Sequence, residues 1–246
     1  SVGDGLEKLG REQIGSNTSL QFMSVNTRLN EVRDGIRIPL ENRHALDYHD
    51  YQDLKLNFEN IMAADLFIQG SAVVKLKGDT AEVPARLIGR TEGFEDFENI
   101  EFEGRNFRPK DILNAESVAI INNDLKTLLD STHSVLNRKI QLNNEVFEII
   151  GVADADLIRG RPQVFLPVTA FRHADNTDVF PQILIKAREI EQILLLKEEV
   201  REYLNAKYPE SEFIIGTNEE RVEQFEDGIL LFKLVMGLIT GISVIV

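Results

Sequence analysis

Three consecutive stretches near the C-terminal end decide the fold: Gln182-Ile-Leu-Ile-Lys-Ala187, then Glu189-Ile-Glu-Gln-Ile-Leu-Leu-Leu-Lys-Glu-Glu-Val-Arg-Glu-Tyr-Leu-Asn-Ala-Lys207, then Glu212-Phe-Ile-Ile215. The first and third alternate or cluster apolar residues over lengths that suit strands. The middle one carries Ile193, Leu196, Val200 and Leu204 at a spacing that forms one apolar stripe on a helix. Strand, helix and strand in this order predict a compact βαβ unit with a right-handed crossover. The fold class that follows is α+β.

Immediately downstream, Thr217-Asn-Glu-Glu220 reads as a capping box, with Thr217 as N-cap and Glu220 reaching back. The helix it starts carries Val222, Phe225 and Ile229 and meets no breaker before the run from Gly228 to Val246. That run is apolar apart from Lys233, Thr240 and Ser243. A bilayer core needs about 20 apolar residues, so the run predicts the first part of a transmembrane helix, with Lys233 placed to snorkel to the membrane interface. A helix that passes unbroken from a folded domain into a membrane is a lever, because its stiffness carries a shift at one end to the other. The alternative is a buried C-terminal helix, as a soluble enzyme would have.

Upstream, Val2, Leu6 and Leu9 recur at helical spacing among charged residues, and predict a short amphipathic helix that forms the outer end of an earlier membrane helix. Ser19-Leu-Gln-Phe-Met-Ser-Val25 alternates as a strand, residues 26–42 read as a polar, mobile, basic-leaning loop containing Arg28, Arg33 and Arg37, and residues 48–60 predict a helix with Tyr51, Leu54 and Phe58 on one face. A series of short strands follows at 66–68, 72–76, 82–88, 117–121, 139–142, 146–152 and 164–168, with Lys77-Gly-Asp79 and Asn143-Asn144 as hairpin turns and residues 124–129 as a short helix.

Composition narrows the function. The 41 acidic against 27 basic residues leave a net charge of -14, which argues against nucleic acid and against adhesion to an anionic membrane surface. With no cysteine there is neither disulfide nor thiolate chemistry. Neither a phosphate-binding loop nor a nucleophile elbow occurs, so the chain itself should not hydrolyse ATP. His44, Asp47, His49 and Asp50 are the densest set of metal-ligand types, but the two histidines would lie roughly 140° apart on a helix and so fail to converge on one ion. They read as a solvated helix entry with an acidic residue at the N-terminal dipole. Asp154 and Asp156 beside Arg159 and Arg161 read as solvated loop charges rather than an acid/base pair. The acidic stretch 92–108 holds Phe94, Phe97, Phe102 and Phe107, some of them for core packing and the remainder as a candidate contact patch for a partner or an amphiphilic substrate.

The order of segments resembles the large extracytoplasmic domain of MacB-like, FtsX-type ABC transporter permeases. The residues that carry the likeness are Leu46-Asp-Tyr-His-Asp50, Ala85-Arg-Leu-Ile-Gly89 followed by Phe94, Gly104-Arg-Asn-Phe107 and Ser117-Val-Ala-Ile-Ile121. It continues through Leu136-Asn-Arg-Lys-Ile140, Phe147-Glu-Ile-Ile-Gly-Val152, Val164-Phe-Leu-Pro-Val168 and residues 225–246. Where many members have a glycine-containing turn, this chain reads Leu136-Asn-Arg-Lys139, and Asn137 is expected to enter the left-handed region in its place.

The resemblance implies a two-lobed α+β domain between the first and second membrane helices. A porter-like βαβ lobe would combine residues 16–84 with 181–216, and an inserted, mainly β lobe would span 85–180. Stalk helices at 1–15 and 217–246 would lead to the membrane. It also implies a non-enzymatic domain without a cofactor of its own, on the extracytoplasmic side of the bacterial inner membrane. There it would couple ATP hydrolysis by a separate cytoplasmic ABC ATPase to export or extraction of a substrate by mechanotransmission and partner docking. A homodimer or heterodimer of permeases and a periplasmic adaptor are the implied partners. The alternative within the same architecture is a sensing permease domain that activates an extracytoplasmic partner without transport.

Overall fold

A computed structural model describes residues 19–76, 82–97, 100–130, 133–154, 161–175 and 179–218, together with Leu230. β1 (Phe22–Thr27) alternates half-buried and buried positions, with Met23, Val25 and Thr27 turned to the core. β11 (Gln182–Ala187) repeats the pattern with Ile183, Ile185 and Ala187. The two pair antiparallel, and β12 (Phe213–Gly216) pairs antiparallel with the other edge of β1. The expected βαβ unit is therefore split. β11 and β12 are parallel but not adjacent, because β1, from the opposite end of the chain, fills the gap between them. The last of the four neighbours is β4 (Ile61–Leu76), antiparallel to β11. With α1 (Tyr48–Asn57) following β1 and α5 (Ile193–Lys207) following β11, the order β12-β1-β11-β4 is that of a ferredoxin-like βαββαβ unit.

The long insertion lies between β4 and β11. β4 is one 16-residue strand where two short ones were expected at 66–68 and 72–76. The apparent break, Gln69-Gly70-Ser71, exists because a Cβ at Gly70 would come within 1.8 Å of the Asp175 carboxylate. The first half of β4 pairs with β11, and the second half pairs with β5 (Glu82–Arg90). β10 (Gln163–Pro167) joins β5 in parallel, and β7 (Val118–Asn122) is antiparallel to β10. β9 (Glu145–Ala153) is parallel to β7, and β8 (Lys139–Leu142) links β9 back to the end of β4. These six strands thus close into a ring, so this part of the sheet has no free edge beyond the one taken by β6 (Phe102–Gly104) on β9. Each contributes a fully buried residue, namely Val74, Leu87, Ile120, Ile140, Ile149 and Phe165. Short helices α2 (Pro109–Leu113), α3 (Asn123–Leu129) and α4 (Phe171–Ala174) pack on the insertion.

Other differences from the sequence reading have local causes. Residues 26–42 are not a polar loop: β2 (Asn30–Arg33) and β3 (Ile36–Pro39) form a hairpin across Asp34 and Gly35, both with positive φ, as a tight turn between right-twisted strands requires. The expected helix from 189 begins as α5 only at Ile193, after a 3₁₀ turn at Ile190–Gln192. Asn137 adopts φ 62°, the left-handed conformation expected of it. The Lys77-Gly-Asp79 turn and the stalk residues Leu6, Leu9, Val222, Phe225, Ile229 and Lys233 lie outside the described residues. Among the described residues no helix is long and apolar enough to cross a membrane.

Candidate functional site

The alternation of β1 and β11 leaves one face of the four-stranded unit open. Met23, Val25, Ile183 and Ile185 face the core, while Phe22, Ser24, Gln182 and Leu184 stand on the other side. Together with Phe67 on β4 and Ile88 on β5, they line an open groove of about 790 Å³. Phe97 closes one flank and stacks on Phe22 with ring centroids 5.8 Å apart. Strand register gives the groove a direction. Phe22 lies opposite Lys186, which lies opposite Ala63; Gln182 lies opposite Phe67, Gln69 opposite Ile88, and Arg86 opposite Ser71. The aromatic end and the polar end formed by Gln182, Gln69 and Arg86 are therefore separated along the strands. Thr217 and Asn218, where the chain leaves β12, belong to the groove lining as well.

Beneath this face lies a buried ion pair. Asp65 is fully buried and Arg90 is 2% exposed, and Arg90 Nε donates to Asp65 Oδ2 at 2.5 Å. Thr91 supplies two further donors to Asp65 Oδ1, its backbone N–H at 3.0 Å and its hydroxyl at 2.7 Å. Burial pushes the Asp65 carboxyl up, against the opposing pull of the Arg90 charge and the Thr91 hydrogen bonds. The Arg90 guanidinium also sits over the rings of Phe94 and Phe67, at 4.6 and 5.5 Å. This cluster ties β4 to β5 where β4 passes from one set of partners to the other.

A second network braces the two long helices. Asp47 caps α1, and its partner in the capping box is Asp50. Far from being solvated, Asp50 is 1% exposed and accepts from Lys207 Nζ at 2.8 Å and from Tyr208 Oη at 2.6 Å, with His44 Nε2 at 2.7 Å. Burial would raise its pKa, but the hydrogen bonds from Lys207, Tyr208 and His44 outweigh that and hold it below the ordinary value. The His44 ring stacks on Tyr208, and His49 pairs with Asp53 rather than with His44. Among the described residues no group of three or more His, Asp and Glu side chains is placed to hold a metal ion.

The four phenylalanines of the acidic stretch separate. Phe94 and Phe107 are buried and pack on one another, and Phe94 also stacks on Phe165. Phe102 is half-buried, edge-on to Phe94. Phe97 alone of the four reaches the groove. Of the basic residues, Arg28 pairs with Glu212 and Arg33 with Glu31. Asp154 accepts from Asn123, while Asp156 and Arg159 lie outside the described residues. The residues that sequence reasoning missed, Phe22, Phe67, Leu184 and the Asp65–Arg90 pair, come from β1, β11 and the neighbouring β4 and β5, which span residues 22–187 of the chain. Their one sequence signal was apolar residues on both faces of β1 and β11.

Comparison with known proteins adds the family. The profile of the MacB-like periplasmic core domain matches residues 1–203. The chain belongs to that family. As a MacB-like periplasmic core domain it corresponds to the periplasmic portion of an inner-membrane MacB-like permease. It is 21% identical over 207 residues to the macrolide export ATP-binding/permease protein MacB of Aggregatibacter actinomycetemcomitans, a match that covers 79% of this chain and 32% of the relative. The chain thus spans about a third of the length of that relative. The fold is similar to the periplasmic region of MacB from Actinobacillus actinomycetemcomitans (TM-score 0.65, 16% identity, 84% of this chain and 92% of that one). It is also similar to the extracellular domain of the noncanonical ABC-type transporter YknZ from Gram-positive bacteria (TM-score 0.59, 17% identity, 69% and 89%).

Proposed function

We propose that this MacB-like core domain is the mechanotransmission and docking unit of an ABC permease whose ATP is hydrolysed by a separate cytoplasmic ATPase domain or subunit. Two copies of the permease, identical or related, would work together, with a periplasmic adaptor as a further partner. The domain divides into a porter-like lobe of residues 16–84 and 181–216 and an inserted β lobe of residues 85–180. Segment 217–246 is the stalk and enters the membrane, alongside segment 1–15. The family's macrolide-exporting relative makes export of a bulky amphiphilic molecule the favoured cargo reading.

The observation that carries this reading is the exit of the chain. β12 ends at Gly216, on the edge strand of the four-stranded unit and one residue before Thr217, the N-cap that the sequence predicts for the stalk helix. A stalk helix starting at Thr217 would follow the sheet directly. The Asp50–Lys207 contact couples the two helices of the same unit, so a displacement of β12 would be shared by the lobe.

The test uses the intact permease with its ATPase in liposomes. The chain contains no cysteine, so Leu195→Cys on the exposed side of α5 provides a unique spin-label position within the domain. The label-to-label distance in the dimer should change when ATP binds. Phe225→Pro, which removes a backbone donor and kinks a helix, should abolish that change at unaltered ATPase binding. An ATP-dependent distance change that survives Phe225→Pro would sink the lever.

A further inference from the structure

The groove on the open sheet face has the chemistry of a ligand site as well as the shape of one. Its volume of about 790 Å³ falls within the range of ~300–1,000 Å³ typical of small-molecule pockets. One end is aromatic, built by Phe22 and Phe97, with Leu184 and then Phe67, opposite Gln182, leading away from it. At the other end Arg86, Gln69 and Gln182 stand on three adjacent strands, with Gln69 between the other two. Register makes Gln69 a diagonal neighbour of both: Gln182 lies opposite Phe67, and Arg86 is opposite Ser71, each two positions from Gln69 on the same face.

Charge sets this patch apart from the rest of the molecule. The chain carries -14 overall, yet among the described lining residues there are two arginines and no carboxylate. The underlying Asp65 neutralises Arg90, whereas Arg86 has no carboxylate partner among the described residues. A single guanidinium with one amide donor diagonal to it matches a monoanion that accepts several hydrogen bonds. A phosphate monoester would bring roughly twice that charge with one cation to meet it.

We infer that this groove binds a single-chain amphiphile with a carboxylate head, such as a fatty-acyl chain, its carboxylate held by Arg86 and Gln69 and its tail lying along Phe67 and Leu184 toward the Phe22–Phe97 stack. The site belongs to the domain itself and works without ATP, so it stands or falls separately from the lever.

The test is equilibrium binding of 11-(dansylamino)undecanoic acid to the full chain, followed by the rise and blue shift of dansyl emission. The chain has no tryptophan, so the probe is read without interference from it. Saturable one-to-one binding, displaced by dodecanoate and at least about tenfold less well by dodecanol, is the expected result, since a charge-assisted contact of about 1.4 kcal/mol is a factor of ten in affinity. Arg86→Gln should weaken the probe by a similar factor and remove the preference for dodecanoate over dodecanol. Leu184→Glu should abolish binding. Equal displacement by the acid and the alcohol on the unaltered chain would overturn the assignment of the head group without recourse to any variant. Unchanged binding in Arg86→Gln and Leu184→Glu, with melting temperatures close to the parent, would place the probe elsewhere, on the apolar C-terminal run, and would overturn the site. Neither outcome bears on the spin-label distances that test the lever.

Discussion

Asp65 and Arg90 show what one buried charge pair demands of its surroundings. Both are almost wholly removed from water, and four polar contacts converge on the pair and on Thr91. Removing one partner strands the other as an uncompensated charge, which typically costs about 3–5 kcal/mol, whereas replacing both with apolar residues of similar volume is often nearly neutral. Asp65→Ala is therefore expected to lower the unfolding free energy by that amount in urea titrations, and the double change Asp65→Leu with Arg90→Met to recover much of the loss. Asp50 supplies a pH dependence. Its folded carboxyl titrates below the ordinary 3.8 because Lys207, Tyr208 and His44 hold the charged form against the cost of burial. A depressed acid pKa contributes its stability in full above the unfolded value, and that contribution is lost as pH falls through the folded one. Urea midpoints should accordingly hold steady from pH 7 to about 4 in respect of this group and fall below it, and Asp50→Asn should flatten that part of the acid limb while costing about 2–3 kcal/mol at pH 7.

At the scale of the element, α5 separates packing from propensity. Ile193, Leu196, Val200 and Leu204 are fully buried along one stripe, while Leu195, one residue from Leu196 and equally apolar, is 59% exposed. Helix propensity is the same for both leucines, so any difference in their effects measures burial. Leu196→Ala should cost about 2–5 kcal/mol, and Leu195→Ala should stay within about 0.5 kcal/mol, in paired denaturation curves. The β2–β3 hairpin is the opposite case. It forms a two-stranded sheet of its own, with Val32 and Ile36 both 66% exposed, and its local turn chemistry at Asp34-Gly35 does what packing does elsewhere.

At the scale of the molecule, the closed ring of β4, β5, β10, β7, β9 and β8 leaves its central backbone groups paired on both sides and covered by core side chains. Local opening there requires breaking the ring, so hydrogen exchange should be slowest in β5, β7 and β10 and approach the rate of global unfolding. Amides of the β2–β3 hairpin should exchange orders of magnitude faster. Equal protection of the two regions would mean that the hairpin is not the independent ribbon its pairing indicates.

The elements whose signal is local were legible in the chain itself: the stripe of α5, the strands β7 to β10, the Asn143-Asn144 turn and the left-handed Asn137 each follow from period or from turn chemistry within a few residues. The same holds for the α+β class and for the family, whose segments keep their order along the chain. Tertiary structure alone decided which strands became neighbours. β1 entered between β11 and β12 because its two edges and its alternating face met theirs, and no pattern inside residues 182–215 announces a partner from residues 22–27. The groove was illegible for that reason, since its residues come from separate strands and acquire a common face only through register. Phe94 and Phe97 make the point within one turn of chain: three residues apart in the same acidic stretch, one is sealed in the core and the other lines the groove, because burial depends on what the rest of the fold brings to each side.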